Sequence, residues 1–567
     1  MVYRKRSVYS FREMKKQKLT TIELFSGIGA QKRGIDNTGL YDLEVVATSD
    51  IDKEVMVEYA AIHHGLTTEM VENYKDYPSK EDMAQSLTDR RIGYDFQKNK
   101  QYDWFKLAKK KKGMDLEKYW LAAKLTNNLG DVSKIDKLPQ CDILTFSSPC
   151  TDYSIAGKQE GSFNTCNMCG HKFNPFDYDV EDRYNCPNCG SDDIQGTRSG
   201  LLKEVERLLI NSIKSGEAPK YLLQENVDAL VSKKFKPDFE AFCRRLENLN
   251  YSVYWTVLNA KECGVPQNRR RLFMIGIRKD IDTGKFTFPL PFDTGVRLKD
   301  ILEKNVDERY YINTERASNL IQQLIDKGQL KGQRVCCDMS DNNPNVKDIA
   351  NVIVSHYDKG ISARKAEGTA VVESDKIDNQ KRLGGLWDGE KKHQIGSVWD
   401  SNGMSPTLDT CAGGGRQPHI IESIEPKERF FKQALETFNR NECEEGDTID
   451  AFNQRVNKSG YCPTLTTRPE GFKTAILPVV KDNEYVYRIR KLTVRECAKL
   501  MGFEFSDWDK CSALSISNSA GYRACGNSIV TNCISLLFEH LYQAQYDETY
   551  VCTDERMQNF TQPQVAV

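Results

Sequence analysis

The chain reads as an α/β protein with a second, smaller domain of mixed, strand-rich character and an inserted four-cysteine ribbon. Three observations point there. Apolar, β-branched runs alternate with stretches of helical spacing up to about residue 278, that alternation is lost between 285 and 487, and two Cys-x-x-Cys pairs interrupt the first part. Strands alternating with helices are the pattern of an α/β sheet, whereas a stretch that loses the alternation reads as a separate unit.

The first strand, Leu19-Thr20-Thr21-Ile22-Glu23-Leu24-Phe25, runs into Ser26-Gly27-Ile28-Gly29-Ala30. Glycines there let the backbone bend tightly and approach a ligand closely at the start of the next helix. A second strand, Leu43-Glu44-Val45-Val46-Ala47-Thr48, ends in Ser49-Asp50-Ile51-Asp52. An acid at the end of that strand is the acceptor a nucleoside ribose needs, so the segment predicts a nucleoside-cofactor site. Residues 66 to 126 then break the alternation with a charged, aromatic-dotted stretch that reads as an insertion, helical in part. Leu129-Gly130-Asp131-Val132 offers a further acid at a loop edge.

Cys141-Asp142-Ile143-Leu144-Thr145-Phe146 predicts a buried strand that stops at Ser147-Ser148-Pro149. Proline withholds a backbone donor, and Cys150 is left at a strand's carboxyl end, where open α/β sheets place their ligands. A free cysteine is more often simply buried, and this one is singled out by its neighbours. Two pairs follow, in Cys166-Asn167-Met168-Cys169-Gly170 and Cys186-Pro187-Asn188-Cys189-Gly190, with sixteen residues between Cys169 and Cys186. Four thiolates in paired turns fit a tetrahedral zinc ion held by Cys166, Cys169, Cys186 and Cys189, and a redox role would need only one such pair on a thioredoxin-like unit. The ribbon spans 163 to 192.

Residues 201 to 209 have helical spacing, and Tyr221-Leu222-Leu223-Gln224-Glu225-Asn226-Val227 is a strand that ends in polar groups. Glu225 leaves that strand at the sheet edge of Cys150 and is a candidate proton donor. Strands at 251 to 260 and 271 to 278 flank Gln267-Asn268-Arg269-Arg270-Arg271, whose guanidiniums suit phosphate or base contacts. Within 285 to 487, Gly403-Met404-Ser405-Pro406-Thr407-Leu408 is echoed by Gly460-Tyr461-Cys462-Pro463-Thr464-Leu465. Thr493 and Glu496 predict a capping box that opens a helix through Leu500, and Gly526-Asn527-Ser528 precedes an apolar helix reaching about Leu541.

Composition narrows the partners. A net charge of -1 excludes a uniformly basic coat, so a polyanion would have to be met by local clusters such as Arg4-Lys5-Arg6, Lys109 to Lys112 or Arg269-Arg270-Arg271. No apolar run is long enough to span a membrane and no signal peptide is legible, so a soluble, cytoplasmic protein with no membrane partner is expected. Eighteen cysteines in 567 residues are too sparse for a disulfide scaffold and read as thiols or metal ligands.

Taken together and in this order, Phe25-Ser26-Gly27-Ile28-Gly29, Pro149-Cys150, Glu225-Asn226-Val227, Gln267-x-Arg269-x-Arg271, Arg490-x-Leu492-Thr493 through Gly502-Phe503, and Gly526-Asn527-Ser528 resemble the DNA cytosine methyltransferases that methylate carbon 5, of bacterial or phage type. The resemblance implies a doubly wound, Rossmann-like domain that binds S-adenosyl-L-methionine, built from 1 to 284 plus 488 to 567, around a target-recognition domain at 285 to 487. It departs from the family at Ala30 and at Thr151-Asp152, and it is silent on the insertion and the ribbon.

By the same resemblance Cys150 is the nucleophile that adds to carbon 6 of a cytosine extruded from the duplex, Glu225 assists at ring nitrogen 3, and Arg269 holds both the base carbonyl and the glutamate. Phe25 and Gly27 pack near the cofactor's methionine part, Gly29 is a further cofactor-binding residue, Asp50 takes the ribose hydroxyls, Asp131 reads the adenine, and Asn527 and Ser528 close the site. The implied partner is double-stranded DNA met by a monomer, with room for a companion restriction endonuclease. Zinc is expected to be structural. An RNA cytosine-5 methyltransferase and a catalytically silent DNA-binding relative are the alternatives; the separate domain favours duplex DNA over RNA, and intact Cys150, Glu225 and Arg269 weigh against silence.

Overall fold

A computed structural model describes residues 15–149, 163–376 and 485–550, except positions 96, 97, 99, 111, 112, 198 and 313, together with short strands between 382 and 481. The chain divides into two compact units, the first made of 1–310, 336–370 and 491–567, the second of 311–335 and 371–490.

In the first unit six strands form one sheet among the described residues: β1 (Gln17–Leu24), β2 (Tyr41–Ser49), β3 (Ile143–Phe146), β4 (Tyr221–Val227), β5 (Tyr251–Asn259) and β6 (Arg270–Arg278), in the order β5-β6-β4-β3-β1-β2. The neighbours β2, β1, β3 and β4 are parallel, and β6 runs antiparallel to both β4 and β5. The chain builds β2 on one side of β1 and then crosses back to build β3 on the other. The switch point therefore lies between β1 and β3, where loops at the carboxyl ends part to leave a crevice.

Helices cover both faces, as the doubly wound expectation requires. Ile22, Leu24, Leu144, Phe146, Leu222 and Met274 share a core with Val205, Leu208 and Leu209 of the helix Leu202–Lys214 and with Phe239, Phe242 and Leu246 of the helix Lys236–Asn248. Alternate strand residues point one way and every third or fourth helical residue points back at them, which is why these positions meet. On the opposite face Ala30–Thr38 packs on Thr531–Tyr546 so closely that a Cβ on Gly34 would lie 2.4 Å from that of Ile534. The Thr493–Glu496 capping box forms as expected, each residue's side chain accepting the other's backbone N–H.

The insertion folds into short helices at Thr68–Asn73, Lys80–Asp89, Trp104–Ala108 and Asp115–Leu125. The ribbon is a three-stranded sheet of Lys172–Phe173, Asn164–Cys166 and Ile194–Gly196, in that order.

The boundary expected at 285 moves. Residues 285–310 and 336–370 belong with the first unit, because irregular backbone there pairs with first-unit loops: Asn268 N–H donates to the Ala350 carbonyl at 2.8 Å, Ala350 N–H to Pro266 at 2.9 Å, and Phe292 N–H to Glu262 at 3.0 Å. Such pairing leaves no periodicity for a sequence reading to detect. In the second unit the helix Glu315–Asp326 accompanies an antiparallel pairing of Val371–Lys376 with Tyr485–Arg490, pinned by Arg490 Nε on Glu373 at 2.8 Å. The echoed loops at Thr407-Leu408 and Thr464-Leu465 lie outside the described residues.

Candidate active site

Backbone strain marks the exit of β1. Phe25, Gly27 and Gly29 all have positive φ (56°, 54° and 75°), and the turn is closed by Gly29 N–H on the Ser26 carbonyl and Ser26 N–H on that of Ser49. The two glycines serve different ends. A Cβ on Gly29 would stand 2.3 Å from His63 Nε2 and 2.7 Å from Tyr59, so Gly29 is needed for packing on the helix Lys53–His64. A Cβ on Gly27 would meet nothing within 4 Å, so open space lies above that turn.

Asp50 borders the same space. Its Oδ2 accepts Gly27 N–H at 3.0 Å and its Oδ1 accepts Asp52 N–H at 2.9 Å. The Ile51 N–H also acts on this carboxylate, and of its four in-plane acceptor positions at least one remains open among the described residues. Burial pushes the carboxyl up to about 6, against the amide hydrogen bonds that favour its ionised form. Asp131, almost fully buried, accepts the N–H and hydroxyl of Ser133 on Oδ1 and Arg91 Nη1 on Oδ2, all at 2.9 Å. The open turn and two acids with spare acceptor positions fit a nucleoside with a ribose diol and an exocyclic amine.

At the ends of β3 and β4, Asn226 Nδ2 donates to the Ser148 carbonyl at 3.2 Å and ties down the turn that leads into Cys150. Cys150 itself lies outside the described residues. Glu225, buried on β4, pairs with Arg271 Nε at 3.2 Å. Desolvation raises its carboxyl above the ordinary value, opposed first by Arg271 and then by Arg269. A buried acid biased toward its protonated form can give a hydrogen bond or a proton to a neighbouring ring nitrogen.

The expectation that Arg269 holds this glutamate is corrected. Arg269 is 3% exposed and its guanidinium donates to the carbonyls of Ile353, Gly526 and Ser528 at 3.3, 3.0 and 2.7 Å. Glu225 stands opposite Phe273 in the β4–β6 pairing, and residues two apart on a strand share a face, so Arg271 is carried to Glu225, whereas Arg269 lies just before the strand with its guanidinium on backbone carbonyls. Arg270, on the other face, pairs with Asp228 at 3.0 Å. The three arginines are thus divided among different partners, and Arg270 remains largely exposed. No sequence signal separates the two arginines, because the pairing of Phe273 with Glu225 is a matter of strand register.

Asn527 ends the helix Asn518–Asn527 with an exposed side chain, and Ser528 caps it, buried. Gly526 is required there, since a Cβ would stand 2.3 Å from the backbone nitrogen of Ser355.

In the ribbon the four sulfurs of Cys166, Cys169, Cys186 and Cys189 lie within 4.8 Å of one another, with Cys166–Cys189 and Cys169–Cys186 both at 3.6 Å. Tetrahedral zinc with bonds of 2.3 Å would set the sulfurs about 3.8 Å apart, so the donor set fits. Gly170 and Gly190 take positive φ and donate to the carbonyls of Cys166 and Cys186, closing two like turns around the sulfurs.

A family model described as C-5 cytosine-specific DNA methylase matches residues 107–167 and 188–543, breaking within the ribbon. The orphan methyltransferase M.SPBetaI of Bacillus phage SPbeta is 26% identical over 555 residues, covering 92% of this chain and 97% of its own. The type II methyltransferase M2.ScrFI of Lactococcus lactis subsp. cremoris is 33% identical over 303 residues, 53% of this chain and 72% of its own. The orphan methyltransferase M.SssI of Spiroplasma monobiae is 31% identical over 313 residues, 54% and 71% respectively.

Proposed function

The chain belongs to the family of C-5 cytosine-specific DNA methylases, and on that premise we propose that it methylates, at a defined DNA sequence, carbon 5 of a cytosine turned out of the duplex, through a covalent adduct with Cys150. The observation that carries this reading is the buried Glu225–Arg271 pair at the end of β4, beside the Asn226-held turn that leads into Cys150.

Carbon 5 of cytosine is a poor nucleophile. The Cys150 thiolate forms a bond to carbon 6, and the displaced electron pair is drawn toward ring nitrogen 3, where Glu225 gives a proton, and toward the base carbonyl, which Arg271 can hold. Carbon 5 then bonds to the methyl as the methyl–sulfonium bond breaks, its electron pair passing to sulfur so that a neutral thioether leaves. A base removes the carbon 5 proton, the carbon 6–sulfur bond breaks, Cys150 leaves as a thiolate, and the nitrogen 3 proton returns to Glu225. Extruding the base costs a few kcal/mol in stacking and pairing, regained by contacts in the pocket.

S-adenosyl-L-methionine supplies the methyl as an electrophilic sulfonium substituent. Asp50 offers its open acceptor capacity to the ribose diol, Asp131 its remaining position to the adenine amine, and the open space at Gly27 admits the methionine end, flanked by Phe25 and Asn527. Gly29 and Ser528 shape the walls. The four cysteines of the ribbon hold a structural zinc ion.

Among the described residues no helix is long and apolar enough to cross a membrane. The matching relatives include both orphan and type II enzymes, so the reading extends to modification with or without a companion restriction endonuclease, by a monomer in the cytoplasm of a bacterium or phage-infected cell. Residues 371–490 read the target sequence.

The test is labelled methyl transfer to duplex DNA with transfer RNA as the comparison. DNA carrying 5-fluorocytosine should trap a covalent complex with the parent protein, because fluorine cannot leave as the proton does, and Cys150→Ser should form none while still binding S-adenosylmethionine. Turnover by Cys150→Ser near the parental rate would sink the mechanism.

A further inference from the structure

The insertion takes no part in the chemistry above, yet its turn at residues 90–94 is built into the loops that carry Asp50 and Asp131. Gly93 N–H donates to the Ile51 carbonyl at 2.7 Å, next to Asp50, and Asp131 N–H donates to the Arg90 carbonyl at 2.9 Å. Arg90 Nη1 donates to the Asn128 carbonyl at 2.8 Å. The approach is close enough that a Cβ on Gly130 would stand 2.0 Å from the Arg90 carbonyl oxygen. From this turn Arg91 Nη1 reaches Asp131 Oδ2 at 2.9 Å, and the Arg91 guanidinium lies 3.8 Å from the centroid of the Tyr94 ring.

The acceptor positions of Asp131 can be counted. Both in-plane positions of Oδ1 are taken by the N–H and hydroxyl of Ser133. Oδ2 accepts only Arg91 among the described residues, which leaves one position. Whatever Asp131 still receives must therefore arrive on the oxygen that Arg91 holds. Arg91 also sits at φ 52°, a conformation that glycine adopts without strain. The backbone gains nothing from an arginine there, so the position is occupied for its side chain.

We propose that Arg91, stacked on Tyr94, is a positioning residue of the cofactor site: it fixes the single acceptor by which Asp131 receives the exocyclic amine of the cofactor's adenine. The insertion is then a wall of the nucleoside pocket. This rests on the reading of Asp131 given above.

The decisive variant is Arg91→Gly, which removes the side chain and relaxes the turn. Calorimetric affinities for S-adenosylhomocysteine and its deaminated analogue S-inosylhomocysteine are compared with the KM and kcat of methyl transfer and with Tm. Expected is a roughly tenfold or greater loss of affinity for the adenosyl ligand, little change for the inosyl one, a raised KM at nearly parental kcat, and only a small fall in Tm, since relief of the positive φ offsets part of the lost ion pair. An Arg91→Lys variant, which keeps a donor for Oδ2, should recover part of the preference. Parental affinity and preference in Arg91→Gly would overturn the proposal. Asp131→Ala separates the two readings: if it keeps the adenosyl preference, the Asp131 assignment fails, whereas if it loses the preference and Arg91→Gly does not, only the role of Arg91 fails. Should Arg91→Gly not fold, Arg91→Gln decides in the same assay.

Discussion

Arg183 of the ribbon and Glu206 of the helix Leu202–Lys214 form an ion pair at 3.0 Å with 2% and 3% of their side chains exposed. Arg245 of the next helix joins from the other side at 3.0 Å, and the Phe176 ring lies 5.2 Å from the Arg183 guanidinium and 4.8 Å from that of Arg245. One carboxylate shared by two guanidiniums thus fastens the ribbon to the helices behind the sheet. A ribbon anchored at its base is a fixed body on the catalytic unit.

The arrangement makes an asymmetric prediction. Glu206→Ala leaves two desolvated cations facing each other and should cost about 3–5 kcal/mol. Arg183→Ala leaves Glu206 paired with Arg245, so it should cost less and chiefly open the ribbon to proteases. Denaturant unfolding and limited proteolysis check both; equal losses would mean that the triad does not act as described.

Zinc should be found at one ion per chain by elemental analysis of protein purified without chelators. Cys166→Ser with Cys169→Ser should abolish it and make the ribbon protease-sensitive, with affinity for S-adenosylmethionine unchanged because the cofactor loops lie at other strand ends. Protein free of zinc, with an undisturbed ribbon, would refute the metal assignment.

Arg271 and Arg269 should part company on mutation. Arg271→Ala removes the partner of Glu225 and should lower kcat by about 100-fold or more while the protein stays folded and binds cofactor. Arg269→Ala orphans three carbonyls and should lower stability by at least about 1–3 kcal/mol. The pair of measurements is kcat at saturating substrates and Tm; a stability loss at 271 and a purely kinetic loss at 269 would reverse the assignment.

Cofactor affinity should depend on pH through Asp50. Its carboxyl, raised from 3.8 to about 6, is mostly ionised at pH 7 and mostly protonated at pH 5. Protonation removes an acceptor, so affinity should fall on the order of tenfold between those values. Unfolding does not mimic this through Asp50, because between pH 4 and 6 the folded chain holds a proton there that the unfolded chain lacks, and that linkage favours the fold as pH falls. Asp50→Asn should bind weakly at all pH values with a flat profile; a parental profile in that variant would exclude Asp50 as the titrating group.

Much of this molecule is written locally. The strand and turn from Leu19 to Gly29, the strand that carries Glu225, the Thr493–Glu496 capping box and the two Cys-x-x-Cys turns were legible, because side-chain periodicity, capping and turn chemistry act over a few residues. Family motifs in their order supplied the roles of Asp50 and Asp131 as expectations. What only the tertiary structure decided are meetings between segments far apart in the chain. Arg269 is claimed by carbonyls at 353, 526 and 528, which leaves Glu225 to Arg271. Arg91 is brought to Asp131 by an insertion that a sequence reading could only set aside, and residues 336–370 join the catalytic unit through backbone bonds that carry no pattern. A hydrogen bond between distant loops depends on where the backbone places a carbonyl, and every residue has one; side-chain identity therefore records the local element a residue favours and not the distant partner it meets.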